Sequence, residues 1–205
     1  MTYQLNDESF LKDVARHEVL VLRDNGVDRH IRFKRPGTIC MHFDLITWPG
    51  HLCYTGDMGT FVFQRLDDMF QFFRRGDGER KYAIDMRYWA EKCLAADRAD
   101  GIKEFSKEAF QSDVKEYFEQ ATEDWDEAKK RSVWREIEYD VLSRVDDGLY
   151  AARQALHDFD AEGFEFRDWE RDSMVFTHRF TWCCYALAWG IQQYDAIKTP
   201  AKVAA

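Results

Sequence analysis

The sequence predicts an α+β protein: an N-terminal antiparallel β-meander of about five strands, followed by a helical C-terminal half packed on it. In the first third, short β-rich runs alternate with turn residues, and from Asp67 onward apolar residues recur at helical spacing. The length of 205 residues suits one domain. We therefore predict a single domain over residues 1–200, with the sheet at 17–66 and the helical part at 67–198, followed by a tail at 199–205.

Turn residues define the predicted strands. Asn25-Gly26 lies between two β-rich runs and predicts a two-residue hairpin turn, because both residues tolerate positive φ. Pro49-Gly50 predicts a type II turn. Gly56-Asp57-Met58-Gly59 lacks the Gly-x-x-x-x-Gly-Lys pattern and predicts a turn, not a phosphate-binding loop. The predicted strands are 18–23, 27–34, 38–47, 51–55 and 60–65.

Apolar spacing and capping residues define the predicted helices. Asp85 should cap a helix that reaches Leu94, and Ser106 should cap another. The last helix is apolar on most sides around Trp182, which predicts a central, buried position. The remaining predicted helices are 9–15, 67–75 (ended by Gly76-Asp77-Gly78), 125–145, 149–159 and 173–198.

Charge and cysteine content limit the classes of function. The net charge is −9, and residues 100–172 carry 22 acidic against 11 basic residues. This argues against a broad nucleic-acid-binding surface, which would be basic. Two interpretations stay open: a solvated acidic helical face, or an acidic surface that occupies a basic groove on a partner. The five cysteines lack C-x-x-C spacing, and the N-terminus lacks a signal-peptide pattern, so we expect reduced thiols in a cytoplasm and no membrane association.

Strand alternation predicts one polar and one apolar face for the sheet. A two-residue turn at Pro49-Gly50 sets Trp48 opposite His51 and Asp44 opposite Thr55. The same register places Ile46 opposite Cys53 and His42 opposite Asp57. One face then carries His42, Asp44, His51, Cys53, Thr55 and Asp57, and the core face carries Phe43, Leu45, Leu52 and Tyr54. In the first hairpin, Arg23, Asp28, His30 and Arg32 share one face, whereas Leu20, Leu22, Ile31 and Phe33 share the other with Arg29.

The polar face has two interpretations. It is an ordinary sheet surface satisfied by hydrogen bonds, or it is a binding site. As a site, its histidines and carboxylates would suit zinc, manganese or iron, and its arginines would suit an anion or a nucleotide. The candidate ligand-binding residues are His42, Asp44, His51, Thr55, Asp57, Arg29, His30 and Arg32. No residue is identified as catalytic or metal-binding, and the sequence leaves open whether a cofactor binds.

Exposure of this face would make its residues dispensable for folding. If His42 and Asp44 are exposed, their replacement by Ala should change stability by only about 0.5 kcal/mol. Both replacements should nevertheless abolish activity if the face is the functional site.

Five strings resemble an uncharacterised family of phage- and prophage-encoded proteins. They are the segments at 29–33 (RHIRF), 43–50 (FDLITWPG), 56–59 (GDMG), 68–73 (DMFQFF) and 88–92 (YWAEK). The resemblance covers residues 15–110 best. It implies a phage setting in the cytoplasm of a host cell, but it supplies no catalytic residue.

These observations rank three functional hypotheses. The first is a phage accessory protein that binds a host or phage macromolecule, with a protein as the favoured partner, in counter-defence or host takeover. The second is an enzyme or small-ligand binder, with or without a metal, that uses the polar face. The third is a nucleic-acid binder that uses Arg23, Arg29, Arg32, Lys34 and Arg35. Whether the protein is an enzyme, and its oligomeric state, are left open by the sequence.

Overall fold

The computed structural model describes residues 5–74 and 84–199. It contains two compact units: the sheet unit, Met1–Ile102 with Phe176–Ala205, and the helical unit, Lys103–Val175. The predicted α+β class is confirmed, because a six-stranded antiparallel sheet precedes helices in the C-terminal half. That the whole chain is a single domain stays a prediction.

The sheet is a meander in which every strand pairs with the next one along the chain. Its order is β1-β2-β3-β4-β5-β6, and each of these pairs is antiparallel. The bounds are β1 Glu18–Asn25, β2 Asp28–Lys34, β3 Phe43–Trp48, β4 His51–Gly56, β5 Gly59–Gln64 and β6 Cys93–Ala95. The predicted turn at Gly56-Asp57-Met58-Gly59 is confirmed, since Gly56 pairs with Gly59 across it.

Two strand predictions were wrong. The third strand begins at Phe43 and not at residue 38, because turns occupy residues 38–42 and His42 N donates to the Ile39 carbonyl oxygen at 3.2 Å. The sixth strand includes Leu94, where a helix was predicted. That helix ends at Glu91, and Cys93 then pairs with Phe63.

The first hairpin differs from its prediction by one residue. Asn25 pairs with Asp28, so the turn residues are Gly26 and Val27. Gly26 has φ +63°, and a glycine with positive φ at the first central position is typical of type II′ turns. A bulge between Val21 and Arg23 then shifts the register.

The bulge overturns one face assignment. Because of the register shift, Leu20 lies opposite Arg32 on the polar face, and Leu22 is the extra residue of the bulge. The prediction that these two leucines belong to the apolar face was therefore wrong. Ile31 and Phe33 are fully buried, and their assignment to the apolar face is confirmed.

Replacing Gly26 by Val should destabilise this hairpin. The left-handed conformation costs a residue with a β-carbon about 1–2 kcal/mol, and a β-branched residue resists it most. Space is not the reason, because a β-carbon at Gly26 would meet no atom within 4 Å. Urea unfolding of Gly26→Val should show this loss, whereas Gly26→Asn, which tolerates positive φ, should show a clearly smaller one. Equal stabilities of Gly26→Val and the parent chain would contradict the turn assignment.

The described helices follow the predicted order; the first begins two residues earlier than predicted, and the other helices with predicted bounds are shorter. The helices are α1 Asp7–Val14, α2 Met69–Phe73, α3 Met86–Glu91, α4 Lys107–Ala121, α5 Glu127–Asp140, α6 Leu149–Asp158 and α7 His178–Lys198. Asp68 caps α2, so this helix begins later than predicted. Its predicted end at Gly76-Asp77-Gly78 lies outside the described residues. The last helix begins at His178 and not at residue 173, because Thr177 is its N-cap and Met174–Phe176 is a strand.

Helix α7 lies in the core of the sheet unit, as its all-round apolar sequence predicts. Trp182, Cys183, Cys184 and Leu187 are fully buried. Gly190 lets the helix approach the sheet closely, since a β-carbon there would lie 3.1–3.2 Å from side-chain atoms of Leu45, Phe33 and Phe43. The predicted packing of this helix against the sheet is confirmed.

The helical unit has a core of its own. Phe110, Val114 and Phe118 of α4 pack with Val133 and Ile137 of α5 in a second apolar cluster. The predicted long helix at 125–145 is divided into α5 and a 3₁₀ helix, Leu142–Asp147. Two small sheets complete the unit: β7 Lys103–Phe105 pairs with β10 Met174–Phe176, and β8 Asp160–Ala161 pairs with β9 Phe164–Glu165.

Candidate functional site

The register that defines the polar face is confirmed. Trp48 lies opposite His51, Ile46 opposite Cys53, and Asp44 opposite Thr55. Asp57 N donates to the His42 carbonyl oxygen at 3.0 Å, which continues the same alignment past the strand ends. The predicted core face is also confirmed, since Phe43, Leu45, Leu52 and Tyr54 are all fully buried.

Two of the predicted site residues, Arg32 and His30, converge on the carboxylate of a third, Asp44, at the polar face. Arg32 donates to Asp44 through Nε at 2.8 Å and through Nη2 at 2.8 Å. His30 Nε2 lies 2.7 Å from Asp44 Oδ2. Arg32 is the direct cross-strand partner of Asp44, and His30 is its diagonal neighbour. Both carboxylate oxygens of Asp44 are thus engaged, and only 5% of this residue is exposed.

This network holds the Asp44 carboxylate in its charged form. Burial is the largest single effect and would raise the pKa of Asp44, but the hydrogen bonds and charge interactions with Arg32 and His30 together lower that pKa. A carboxylate with a lowered pKa is a weak base. Burial, together with the negative charge of Asp44, raises the pKa of the neighbouring Cys53 thiol. A raised pKa disfavours the thiolate that nucleophilic catalysis requires.

The other predicted polar-face residues do not join this network. His42 Nδ1 lies 2.7 Å from the Ile39 carbonyl oxygen, and Asp57 accepts a hydrogen bond from Met41 N at 2.9 Å. The Thr55 hydroxyl lies 2.8 Å from that of Thr60. The His51 ring stacks on Trp48 with centroids 5.0 Å apart. At about 3.3 Å per strand residue, His51 is roughly 13 Å from Asp44 along the sheet.

Arg29 lies on the core face and binds a carboxylate of the protein itself. Its Nη1 and Nη2 donate to Asp68 at 2.8 and 3.1 Å. The guanidinium also lies over the rings of Phe70 and Tyr194, at 4.8 and 5.8 Å from their centroids. This contact joins β2 to α2 and α7. As ligand-binding residues, Arg29 and the seven polar-face candidates stay predictions.

The described residues do not provide a metal centre. Within residues 5–74 and 84–199, no group of three or more His, Cys, Asp or Glu side chains is placed to hold a metal ion. The proposed basic patch is also reduced, because Arg29 and Arg32 are engaged by Asp68 and Asp44.

The helical unit carries the whole negative excess of the chain. Residues 103–175 contain 21 acidic and 11 basic residues, a net charge of −10, whereas the rest contains 17 acidic and 18 basic residues, a net charge of +1. Eight of the 21 carboxylates form ion pairs, and the other thirteen form none within the described part of the chain. We call this the acidic surface. Its unpaired carboxylates leave a strong negative field around the unit.

One groove of the acidic surface combines carboxylates with an exposed aromatic ring. It encloses about 510 Å³, and Asp140, Asp158 and Asp160 contribute to its lining together with Arg144 and Tyr150. Tyr150 is 84% exposed. We call this groove the α5–α6 groove. Carboxylates and aromatic faces together are the groups that bind guanidinium best.

Sequence reasoning identified the acidity of this region but not its groove. Asp140 and Asp160 are 20 positions apart in sequence, and no local pattern shows that α5 and the start of β8 line the same groove. The exposure of Tyr150 could not be predicted either, because a tyrosine at the start of a helix can be buried or exposed.

None of the described helices combines the length and apolar character needed to cross a membrane. No family model, no curated protein and no solved structure matches the chain.

Proposed function

We propose that the protein acts by binding a partner protein, and that the acidic surface of the helical unit binds a basic surface of this partner. The observation that carries the proposal is the charge difference between the units, −10 against +1. Opposite charge on a partner would accelerate association and help select that partner over others.

The α5–α6 groove supports a more specific form of contact. Asp140 and Asp160 can accept hydrogen bonds from a guanidinium, and the Tyr150 ring can lie against its plane. An arginine side chain of the partner is therefore the group that this groove suits best. The acidic surface around the groove would orient the partner before contact.

The resemblance to phage and prophage proteins supports a partner in an infected host cell. Counter-defence and host takeover are both consistent with a small protein that binds a basic host factor. The enzyme alternative has less support, because the Asp44 carboxylate is saturated by Arg32 and His30. The nucleic-acid alternative is opposed by the net charge of −9.

Capture from a lysate of infected host cells tests the proposal. The immobilised full-length chain should retain a basic protein, and retention should fall steeply as salt is raised, because exposed charges are screened. The double substitution Asp140→Asn with Asp160→Asn should reduce retention about tenfold, since each charged contact contributes about 0.5–1 kcal/mol.

A matched control separates the groove from net charge. Asp28→Asn with Asp67→Asn makes the same change in charge within the sheet unit, and retention should stay unchanged. If no protein is retained, or if both double variants lose retention equally, the acidic surface is not the binding site.

A further inference from the structure

The outer edge of strand β1 is unusually apolar. β1 ends the sheet, and within the described residues only β2 pairs with it. Residues 19–22 read Val-Leu-Val-Leu, and Leu20, Val21 and Leu22 are 36%, 44% and 52% exposed. Exposed apolar edges are templates for a further strand, and most proteins protect them with charges, prolines or bulges.

The apolar residues of this edge lie on both faces of the sheet. Leu20 lies opposite Arg32 on the polar face, whereas Val19 and Val21 lie opposite Phe33 and Ile31 on the core face. A partner that contacted only one face of the sheet would cover either Leu20 or the two valines, but not both. A strand added to the edge covers both, because its own side chains alternate between the two faces.

Only half of the edge is protected. The bulge between Val21 and Arg23 interrupts the second half, and Asp24 in that half is bound by Tyr194 at 2.8 Å and by Lys198. Residues 18–21 have neither a bulge nor a proline, and Glu18 is their one charged side chain. This half stays available for pairing.

We infer that β1 pairs with β1 of a second copy of the chain, antiparallel and around a two-fold axis at Leu20. A two-fold contact requires a self-complementary surface, and Val19-Leu20-Val21 has the same sequence in both directions. In this register Val19 faces Val21 of the second copy, and Leu20 faces itself. The two sheets join into one continuous sheet of twice the strand number.

Charge complementarity selects this register over its neighbours. With the axis at Leu20, the bulge places Leu22 and Arg23 together opposite Glu18 of the second copy. Glu18 and Arg23 both belong to the polar face, so opposite charges meet. An axis at Val21 would set Val19 against Asp24, and an axis at Val19 would set Leu20 against Glu18.

Sedimentation of the full chain over micromolar concentrations tests the inference. The parent chain should have twice the monomer mass of 24.4 kDa. Leu20→Lys should raise the dissociation constant about 100-fold, because each dimer loses two buried leucines and brings two lysines together. Amide exchange at residues 18–21 should be slower in the parent dimer than in this variant.

Controls on the other edge and on the charge pair complete the test. Leu94→Lys makes the same exchange on β6, where Leu94 is 60% exposed, and the dimer should persist. Glu18→Arg and Arg23→Glu should each weaken the dimer about tenfold, and the double variant should restore it. A monomeric parent chain, a dimer that survives Leu20→Lys, or equal loss in Leu94→Lys would overturn the inference. The proposed binding of a basic partner does not depend on the dimer, since its residues lie in the helical unit.

Discussion

Replacing Trp182 by Ala should lower the free energy of unfolding by about 3–5 kcal/mol, the range for truncating a fully buried tryptophan. The ring of Trp182 lies 5.1 Å from that of Phe10 and 5.6 Å from that of Phe43, so one side chain joins α7 to both α1 and β3. Its Nε1 also donates to Asp13 at 3.0 Å. Removal leaves a cavity between three elements that cannot all move inward together.

Thermal and urea unfolding followed by circular dichroism measure this loss. For a chain of this length, each kcal/mol corresponds to roughly 2–4 °C in Tm, so Tm should fall by roughly 6–20 °C. Trp182→Phe keeps most of the packing and loses the hydrogen bond, so it should lose about 1–2 kcal/mol. Trp48→Ala removes a tryptophan that is 38% exposed and packs on the His51 ring, so it should lose clearly less stability than Trp182→Ala. Equal stability of Trp182→Ala and the parent chain would contradict the central position of α7.

The fold was predictable where local and long-range signals agree. Pro49-Gly50 set the register of β3 and β4, and strand alternation then placed each side chain of those strands on the correct face. The first hairpin was less predictable, because the bulge at Leu22 depends on packing that a local pattern does not contain. The same limit applies to β6, a three-residue strand whose residue Cys93 pairs with Phe63 of β5, 30 positions earlier in the sequence.

The candidate site was predictable in composition and not in arrangement. Alternation correctly placed His30, Arg32 and Asp44 on one face. It could not show that Arg32 and His30 saturate Asp44, because the pairing of β2 with β3 depends on the 38–42 connection. The expectation that Asp44 is exposed was therefore wrong, so the small change in stability expected from that exposure no longer has a basis.

Replacing Asp44 by Ala should instead cost about 2–3 kcal/mol, since Arg32 and His30 lose their charged partner within a half-buried network. Asp28→Ala, on the same face of β2, is the matched control. Asp28 forms no ion pair within the described chain, so its replacement should stay within about 0.5 kcal/mol. Urea unfolding at neutral pH compares the two variants directly, and equal losses would show that the Asp44 network is not stabilising.

The pH dependence of stability identifies the charge of Asp44 as the cause. Its pKa in the folded protein is lowered, so its contribution is fully present above the unfolded value of about 3.9 and is lost as pH falls through the folded value. The parent chain should therefore lose stability more steeply below about pH 4 than Asp44→Asn, which has no carboxylate to protonate at position 44. Parallel acid profiles would contradict this assignment.

At neutral pH, folded Asp44→Asn should still retain the basic partner, because the acidic surface is unchanged. If this folded variant no longer retained the partner, the binding site would lie on the polar face, where the sequence predicts candidate ligand-binding residues.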